Sequence, residues 1–404
     1  MDWLTRIARM RLLQSGYLAL LFAAGMMHAG VGAASEEASG SCAGPAPTTE
    51  APAYSTPDYG IDQEAAVAAD PQAEIAQRAW KDYQNQIFDG LRHSPQPRDW
   101  ALVAVLDFTG ETSSALERDA MLKRAVDAAP GDALVQWIAA RRRVAGAIDA
   151  IAADALQGLR SREPDNAAIW LHDLSAAQKL KDAAAVDEAL RRMATAGRFD
   201  GHLTDLAQAI VEVYQRTPAP ALPPTPGTEF LQSPSVLPYM IAMAAASATA
   251  LPAFQDLVAA CRIDPATGAN ASRKADCAAV GRLMAARGDT VIANHLGMAV
   301  LRVSNTFSND DVLLARELDW VFDRSSATMT ALESLRDPSI GDALVAYMTD
   351  WFATGNEIEA MRRAVVRSGE AATPPDDWVD KMSPFSEERL QQDQAAQLHA
   401  ARQD

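Results

Sequence analysis

The residues in this sequence best suited to chemistry are its histidines, its cysteines, a pair of carboxylates and a run of arginines. His93, His172, His202, His295 and His399 are scattered, with no H-E-x-x-H and no pair at i, i+4, so their spacing does not describe a metal site. No G-x-S-x-G, no S-x-x-K followed by K-T-G and no G-x-x-x-x-G-K-[ST] is present, so no nucleophile, phosphate loop or cofactor is implied. A catalytic site built in space from scattered residues leaves no such motif. For that reading the first residues to test are His295, one turn after Val291, and Asp319 with Asp323, which share a helix face near Arg316. Two carboxylates so placed could act in glycan hydrolysis. The plainer interpretation is a surface or helix-packing histidine and a solvated acidic face with local salt links.

The cysteines take their meaning from the start of the chain. Arg6, Arg9 and Arg11 are followed by an apolar run from Tyr17 to Met27 and by small residues, Val31-Gly32-Ala33, before Ala34. This is the layout of a cleaved secretory signal peptide over residues 1–33, with an apolar core too short to span a bilayer. The expected location is therefore periplasmic or secreted, with no integral membrane segment after cleavage. In such an oxidising compartment Cys261 and Cys277, 16 residues apart around a polar stretch from Asp264 to Asn270, are expected to form a disulfide across a helical hairpin. Cys42 follows Ser39-Gly40-Ser41, without the Leu of a lipidation box, and reads as a free or intermolecular thiol.

Charge narrows the partners further. Removing residues 1–33 takes away three basic side chains and Asp2, leaving 33 basic against 52 acidic residues and a net charge of −19. Such a chain repels nucleic acid and anionic lipid, and its charge serves solubility.

The elements that must position these residues are helical. Nearly half the residues are apolar, and that share is rich in Ala and poor in aromatic and β-branched side chains, which favours helices. Residues 34–74 are a Pro- and Ala-rich segment with few large apolar side chains, expected to be disordered. A second break over residues 217–238 holds Pro218, Pro220, Pro223, Pro224, Pro226, Pro234 and Pro238, which no continuous helix accommodates. It separates helical regions over 75–216 and 239–371, and Pro374-Pro375 introduces a charged tail over 372–404 that could form a helix from Ser386.

Within 75–216 the pattern repeats. Pro130-Gly131-Asp132 with Trp137 recurs as Pro164-Asp165-Asn166 with Trp170, the prolines 34 and the tryptophans 33 residues apart; Pro97-Arg98-Asp99-Trp100 lies 33 residues earlier. In each unit Pro closes one helix and Asp or Asn caps the next. Apolar stripes follow at helical spacing: Leu134, Trp137 and Ile138 with Ile151, Ala155 and Leu159; then Trp170, Leu174 and Ala177 with Val186, Ala189, Leu190 and Met193. Each stripe is too small to stand alone, so the hairpins must stack. The later region keeps the helical pattern without the period, in stripes such as Cys277, Val280, Gly281 and Met284, and Ser308 with Asp311 forms a capping box.

The 34-residue step, the Trp early in the first helix and the closing Pro resemble the tetratricopeptide repeat over roughly residues 97–198. Ala177 and Arg198 depart from that pattern, standing where the family has Tyr and a closing Pro. The resemblance implies an all-α fold, an α-solenoid of TPR-like hairpins followed by a second helical region, and a concave groove lined by first helices that binds peptides. Trp137, Arg141 and Arg142 would lie there, where the guanidinium groups could hold an acidic peptide or a C-terminal carboxylate. Protein interaction or scaffolding in the cell envelope is the expected role, and an envelope hydrolase with its site in the second helical region is the alternative.

Overall fold

The computed structural model describes residues 71–107, 113–141, 150–220, 235–248, 254–262, 271–330 and 339–378. Residues 1–33, Cys42, Arg142, most of the two proline-rich segments and the tail from 379 onward lie outside them. Over the described residues the chain is all-α, with fifteen α-helices, one short 3-10 turn and no strand. No helix among these residues is long and apolar enough to cross a membrane.

The helices in chain order are α1 (Pro71–His93), α2 (Pro97–Leu106), α3 (Ala115–Ala128), α4 (Ala133–Ala140) and α5 (Ala150–Arg162). The 3-10 turn Ala167–Trp170 leads into α6 (Leu171–Lys179), then α7 (Ala183–Ala194) and α8 (Leu203–Arg216). After the proline-rich segment come α9 (Leu237–Ala248), α10 (Phe254–Cys261), α11 (Ala271–Arg287) and α12 (Val291–Val303). The last are α13 (Asn309–Thr330), α14 (Ser339–Thr354) and α15 (Glu357–Arg367).

Local chemistry sets the helix starts. Asp132 accepts from the backbone N–H of Leu134 and Val135 at the start of α4, and Asp182 does the same for Ala184 and Ala185 at α7. Ser114, Thr290 and Asn356 each accept an N–H three residues on, opening α3, α12 and α15. Pro97 takes the first position of α2, where its missing N–H costs nothing. Ser308 and Asp311 bond each other's backbone N–H at the start of α13, the reciprocal capping box. Trp170 lies in the 3-10 turn rather than in regular α-helix. Asn166 caps that turn at Ala168, and the Ala167 N–H donates to the carbonyl of Arg198 (2.9 Å).

Helices pack as consecutive antiparallel pairs, α2 with α3, α4 with α5 and α6 with α7, each pair touching the next. α8 then returns to lie against α1 and α2. There Arg216 donates two bonds to the buried carboxylate of Asp99 (2.8 and 2.7 Å), and the Tyr83 hydroxyl donates to the Thr217 carbonyl. Two apolar cores result. One joins α1 to α5 and α8 with α9 and α13 to α15; the other joins α6 and α7 with α10, and α11 and α12 lie between, giving Ala278, Ala285, Met298 and Leu301 to the first and Cys277, Val280, Met284 and Leu296 to the second. Both draw on residues from either side of the proline-rich segment.

The second core is held by two close approaches. Cys261 and Cys277 form the disulfide that ties α10 to α11, both side chains fully buried. Where α11 crosses α12, a Cβ on Gly297 would lie 2.4 Å from the Ala285 nitrogen and 2.5 Å from the Gly281 carbonyl oxygen, so glycine there sets the helix spacing.

Candidate functional site

Trp137 and Arg141 meet at the end of α4. The guanidinium of Arg141 lies over the indole, 4.2 Å from the ring centroid, and His202 meets the indole edge-on with centroids 6.1 Å apart. Trp137 is only 4% exposed, so Arg141 is the partly exposed member of the stack. Arg142 lies outside the described residues. The arrangement recurs: Arg124 covers Trp100 at 3.7 Å, and Trp170 has both Arg160 and Arg192 at 5.6 Å. Each tryptophan of the repeated pattern thus carries a guanidinium.

His202 opens the most densely connected polar cluster of the described chain. Its imidazole is buried, with Nε2 3.2 Å from Glu163 and Nδ1 3.2 Å from Asp205. Glu163 also accepts from Asn166 (3.0 Å) and Arg198 (2.6 Å), and Arg198 reaches on to Asp200 (2.5 Å). The backbone of His202 is left-handed (φ 53), and its N–H is held by the Asp200 side chain at 2.8 Å. Burial alone would push the imidazole toward neutrality. The hydrogen bonds to Asp205 and Glu163, with the Asp200 charge, outweigh it and raise His202 to about 10. Glu163 is the converse: burial raises it, but bonds from His202 and Asn166 and the nearby cations bring it down to about 2. The cluster is therefore a charged imidazolium clamped between carboxylates.

Around it, four helix corners are sewn together. Asn166 donates its amide N–H to the Asp200 carbonyl and accepts the Asp200 N–H, both at 3.0 Å. Asp289 donates its N–H to the Phe199 carbonyl (3.2 Å) and accepts the Gly201 N–H on its side chain (2.9 Å). Burial, then the Asp200 charge, raise the Asp289 carboxyl well above the usual carboxylate range. The Asp289 carbonyl accepts from Glu357, and Asn356 donates to the Gly288 carbonyl, each at 3.0 Å. One corner earlier, Arg98 bonds Asp132 at 2.6 Å.

The residues of the hydrolase reading are only partly brought together. His295 on α12 meets Asp319 on α13 at 3.4 Å, but Asp323 is exposed and faces Arg324. The other ring nitrogen of His295 bonds the Val291 carbonyl (2.8 Å). Burial lowers this imidazole and the Asp319 carboxylate more than restores it, so it is raised overall. A general base needs a ring nitrogen turned toward a substrate, and in both His202 and His295 both nitrogens are engaged within the fold. Among the described residues no group of His, Cys, Asp and Glu is arranged to hold a metal ion. One open hollow, about 540 Å³, is lined by Trp100, Lys123, Arg124 and Asp127.

Sequence reasoning did not single out Glu163, Asp200, Asp205 or Asp289, which come from three separate corners. The available signal was polar residues crowded at successive corners, as in Asp200-Gly201-His202 and Gly288-Asp289-Thr290. No family model matches the chain, and neither a curated protein nor a solved structure is detectably similar to it.

Proposed function

We propose that this chain is an exported helical-repeat protein, an α-solenoid of TPR-like hairpins continued by a second helical region, that serves as a protein interaction or scaffold module in the cell envelope. The observation that carries this reading is the repeated corner. Arg98 bonds Asp132 and Asn166 bonds Asp200, in each case across 34 residues, so corners one hairpin apart are joined at a spacing close to the period seen in the sequence. Stacked hairpins of this kind present repeated surfaces to protein partners, an inference at the level of fold. The Arg141 guanidinium, stacked on Trp137 and partly exposed, supports a role in meeting a carboxylate of a bound peptide. The buried disulfide supports the exported reading, since such bonds persist in oxidising compartments.

The test is a crosslinking pull-down of the mature chain from envelope extract beside an Arg141→Ala/Arg142→Ala variant. A partner captured by the native chain and lost in the variant is expected. Partners that bind both equally would sink the arginine site, and an extract that yields no partner would sink the module reading itself.

A further inference from the structure

The end of the described chain is bound to the rest as a ligand is bound. α15 closes with a left-handed glycine: the Gly369 N–H (φ 87) bonds the Val366 carbonyl and the Glu370 N–H bonds the Val365 carbonyl. The chain is thereby turned across α13, and residues 371–378 lie on that helix as a non-helical strap. Arg316 of α13 donates Nε–H to the Trp378 carbonyl (3.1 Å) and a second guanidinium N–H to the Pro375 carbonyl. The indole of Trp320 donates to the Ala371 carbonyl at 2.9 Å. Trp378 then sets its ring edge-on against Trp320, centroids 5.2 Å apart, and Arg324 lies over Trp320 at 4.4 Å from its centroid while facing Glu370 at 3.4 Å.

What α13 reads on the strap is almost entirely main chain. The three bonds from Arg316 and Trp320 end on carbonyl oxygens, and the one side chain anchored among aromatics is Trp378. Pro374 and Pro375 suit this, because their φ is fixed and they have no N–H of their own, leaving carbonyls as the groups to be recognised; the chain then turns, the Trp378 N–H donating to the Pro375 carbonyl (3.0 Å). Prolines ahead of such a turn lower the entropy lost when the segment is bound, and aromatic and hydrogen-bonding side chains are the groups that meet it. Any segment with two prolines followed three residues later by a tryptophan offers the same groups. The acidic pair Asp376-Asp377 between them also suits a face bearing Arg316 and Arg324.

We propose that the face of α13 bearing Arg316 and Trp320 is a docking site for Pro-Pro-acidic-acidic-Trp turns, that residues 371–378 occupy it in cis, and that a partner protein's segment of the same chemistry takes their place. This face shares no residue with the Trp137–Arg141 stack, so the two readings fail separately.

The probe is a fluorescein-labelled peptide of the sequence Ala371 to Trp378, its binding followed by anisotropy. The full native chain, a Trp378→Ala chain and a Trp378→Ala/Arg316→Ala chain are compared, with far-UV circular dichroism on each. Freed of its strap, the Trp378→Ala chain is expected to bind the peptide about tenfold more tightly than the native chain, since occupancy in cis reduces apparent affinity by the fraction of open sites. Adding Arg316→Ala should abolish that gain. Equal binding by the native and Trp378→Ala chains overturns the proposal, as does a gain that survives loss of Arg316. Should Trp378→Ala unfold the chain, Pro374→Gly/Pro375→Gly loosens the strap with its tryptophan in place, and the same gain is required of it. A native chain that dimerises with concentration, and ceases to when Trp378 is replaced, would assign the face to a second copy and overturn the partner reading.

Discussion

The hairpins of α2 to α7 and the helices of α10 to α12 solve one problem in two ways. Each must hold short, Ala-rich helices whose apolar stripes are too small to stand alone. The earlier hairpins do so at their corners, through polar bonds between corners one hairpin apart, such as Arg98 to Asp132 and Asn166 to Asp200. The later helices do so along their lengths, with a glycine crossing at Gly281 and Gly297 and a disulfide that has no counterpart elsewhere among the described residues. A corner device can be copied from unit to unit. A crossing of two particular glycines cannot, and the loss of period after the proline-rich segment goes with that change of method.

The largest expected effect lies where the two methods meet, at His202. Glu163→Ala removes a carboxylate shared by His202, Arg198 and Asn166 and leaves a buried imidazolium short of a partner, at a cost of about 4 kcal/mol. Urea unfolding of native and variant chains measures it, and a loss below about 1 kcal/mol would mean the corners are not held electrostatically. The same cluster sets a pH dependence. His202 is raised from 6.5 to about 10, so its contribution is complete below pH 6.5 and is lost as the pH rises through 10. Glu163 is lowered from 4.5 to about 2, so its contribution is complete above pH 4.5 and is lost as the pH falls toward 2. From these two groups the native chain should be most stable between pH 4.5 and 6.5, with a decline toward pH 9 that a His202→Asn chain lacks. A native chain more stable at about pH 9 than at about pH 6 would contradict this directly. Next in size comes the disulfide. Cys261→Ser/Cys277→Ser should cost about 3 kcal/mol by freeing the loop between α10 and α11 in the unfolded chain. Calorimetry under non-reducing conditions checks it, and an unchanged melting temperature would show that the glycine crossing alone secures the second core.

These two devices were not equally legible in the sequence. The disulfide was legible in the spacing and the expectation of export, and the helices in apolar stripes that the structure buries: Leu134 and Leu159, Val186 with Leu190 and Met193, Val280 with Met284. Corner residues such as Asp132 and Asn166 could be read as caps because capping is local. The His202 cluster could not, since Glu163, Arg198, Asp205 and Asp289 are brought together only when three corners align. Arg198 is the instructive case. In the repeat pattern it stands where a closing proline belongs, and in the fold it bridges Glu163 and Asp200, a role proline could not fill. His295 gave no sign of a partner because Asp319 lies on the following helix, 3.4 Å away only after α12 and α13 have packed. The strap on α13 was hidden for the same reason.

A smaller effect separates the regions by sign. Gly158→Ala in α5 places its Cβ against the movable end of Arg162, so the chain should gain about 0.5–1 kcal/mol from better helix propensity. Gly297→Ala makes the same gain, but its Cβ meets backbone atoms of α11 that cannot move without parting the helices, and a net loss of about 2 kcal/mol is expected. Paired denaturation curves decide it, and equal effects would remove the distinction between corner-held and crossing-held helices.

The smallest effect asks whether the corner device nevertheless persists into the later region. Asp132 caps α4 and also receives Arg98, while Asn356 caps α15 through Glu359 and also donates to the Gly288 carbonyl. Each thus caps the start of its own helix and joins it to an earlier corner. Replacing either by Ala removes a cap worth about 1 kcal/mol, together with the joining bond. If both corners work alike, Asp132→Ala and Asn356→Ala should cost the same within about 0.5 kcal/mol. Each should also exceed Asp182→Ala, which removes a cap whose side chain bonds Ala184 and Ala185 of its own helix. An Asn356→Ala loss no larger than that of Asp182→Ala would confine the joining corner to the earlier hairpins, because the Gly288 bond would then contribute nothing measurable to how α15 is held.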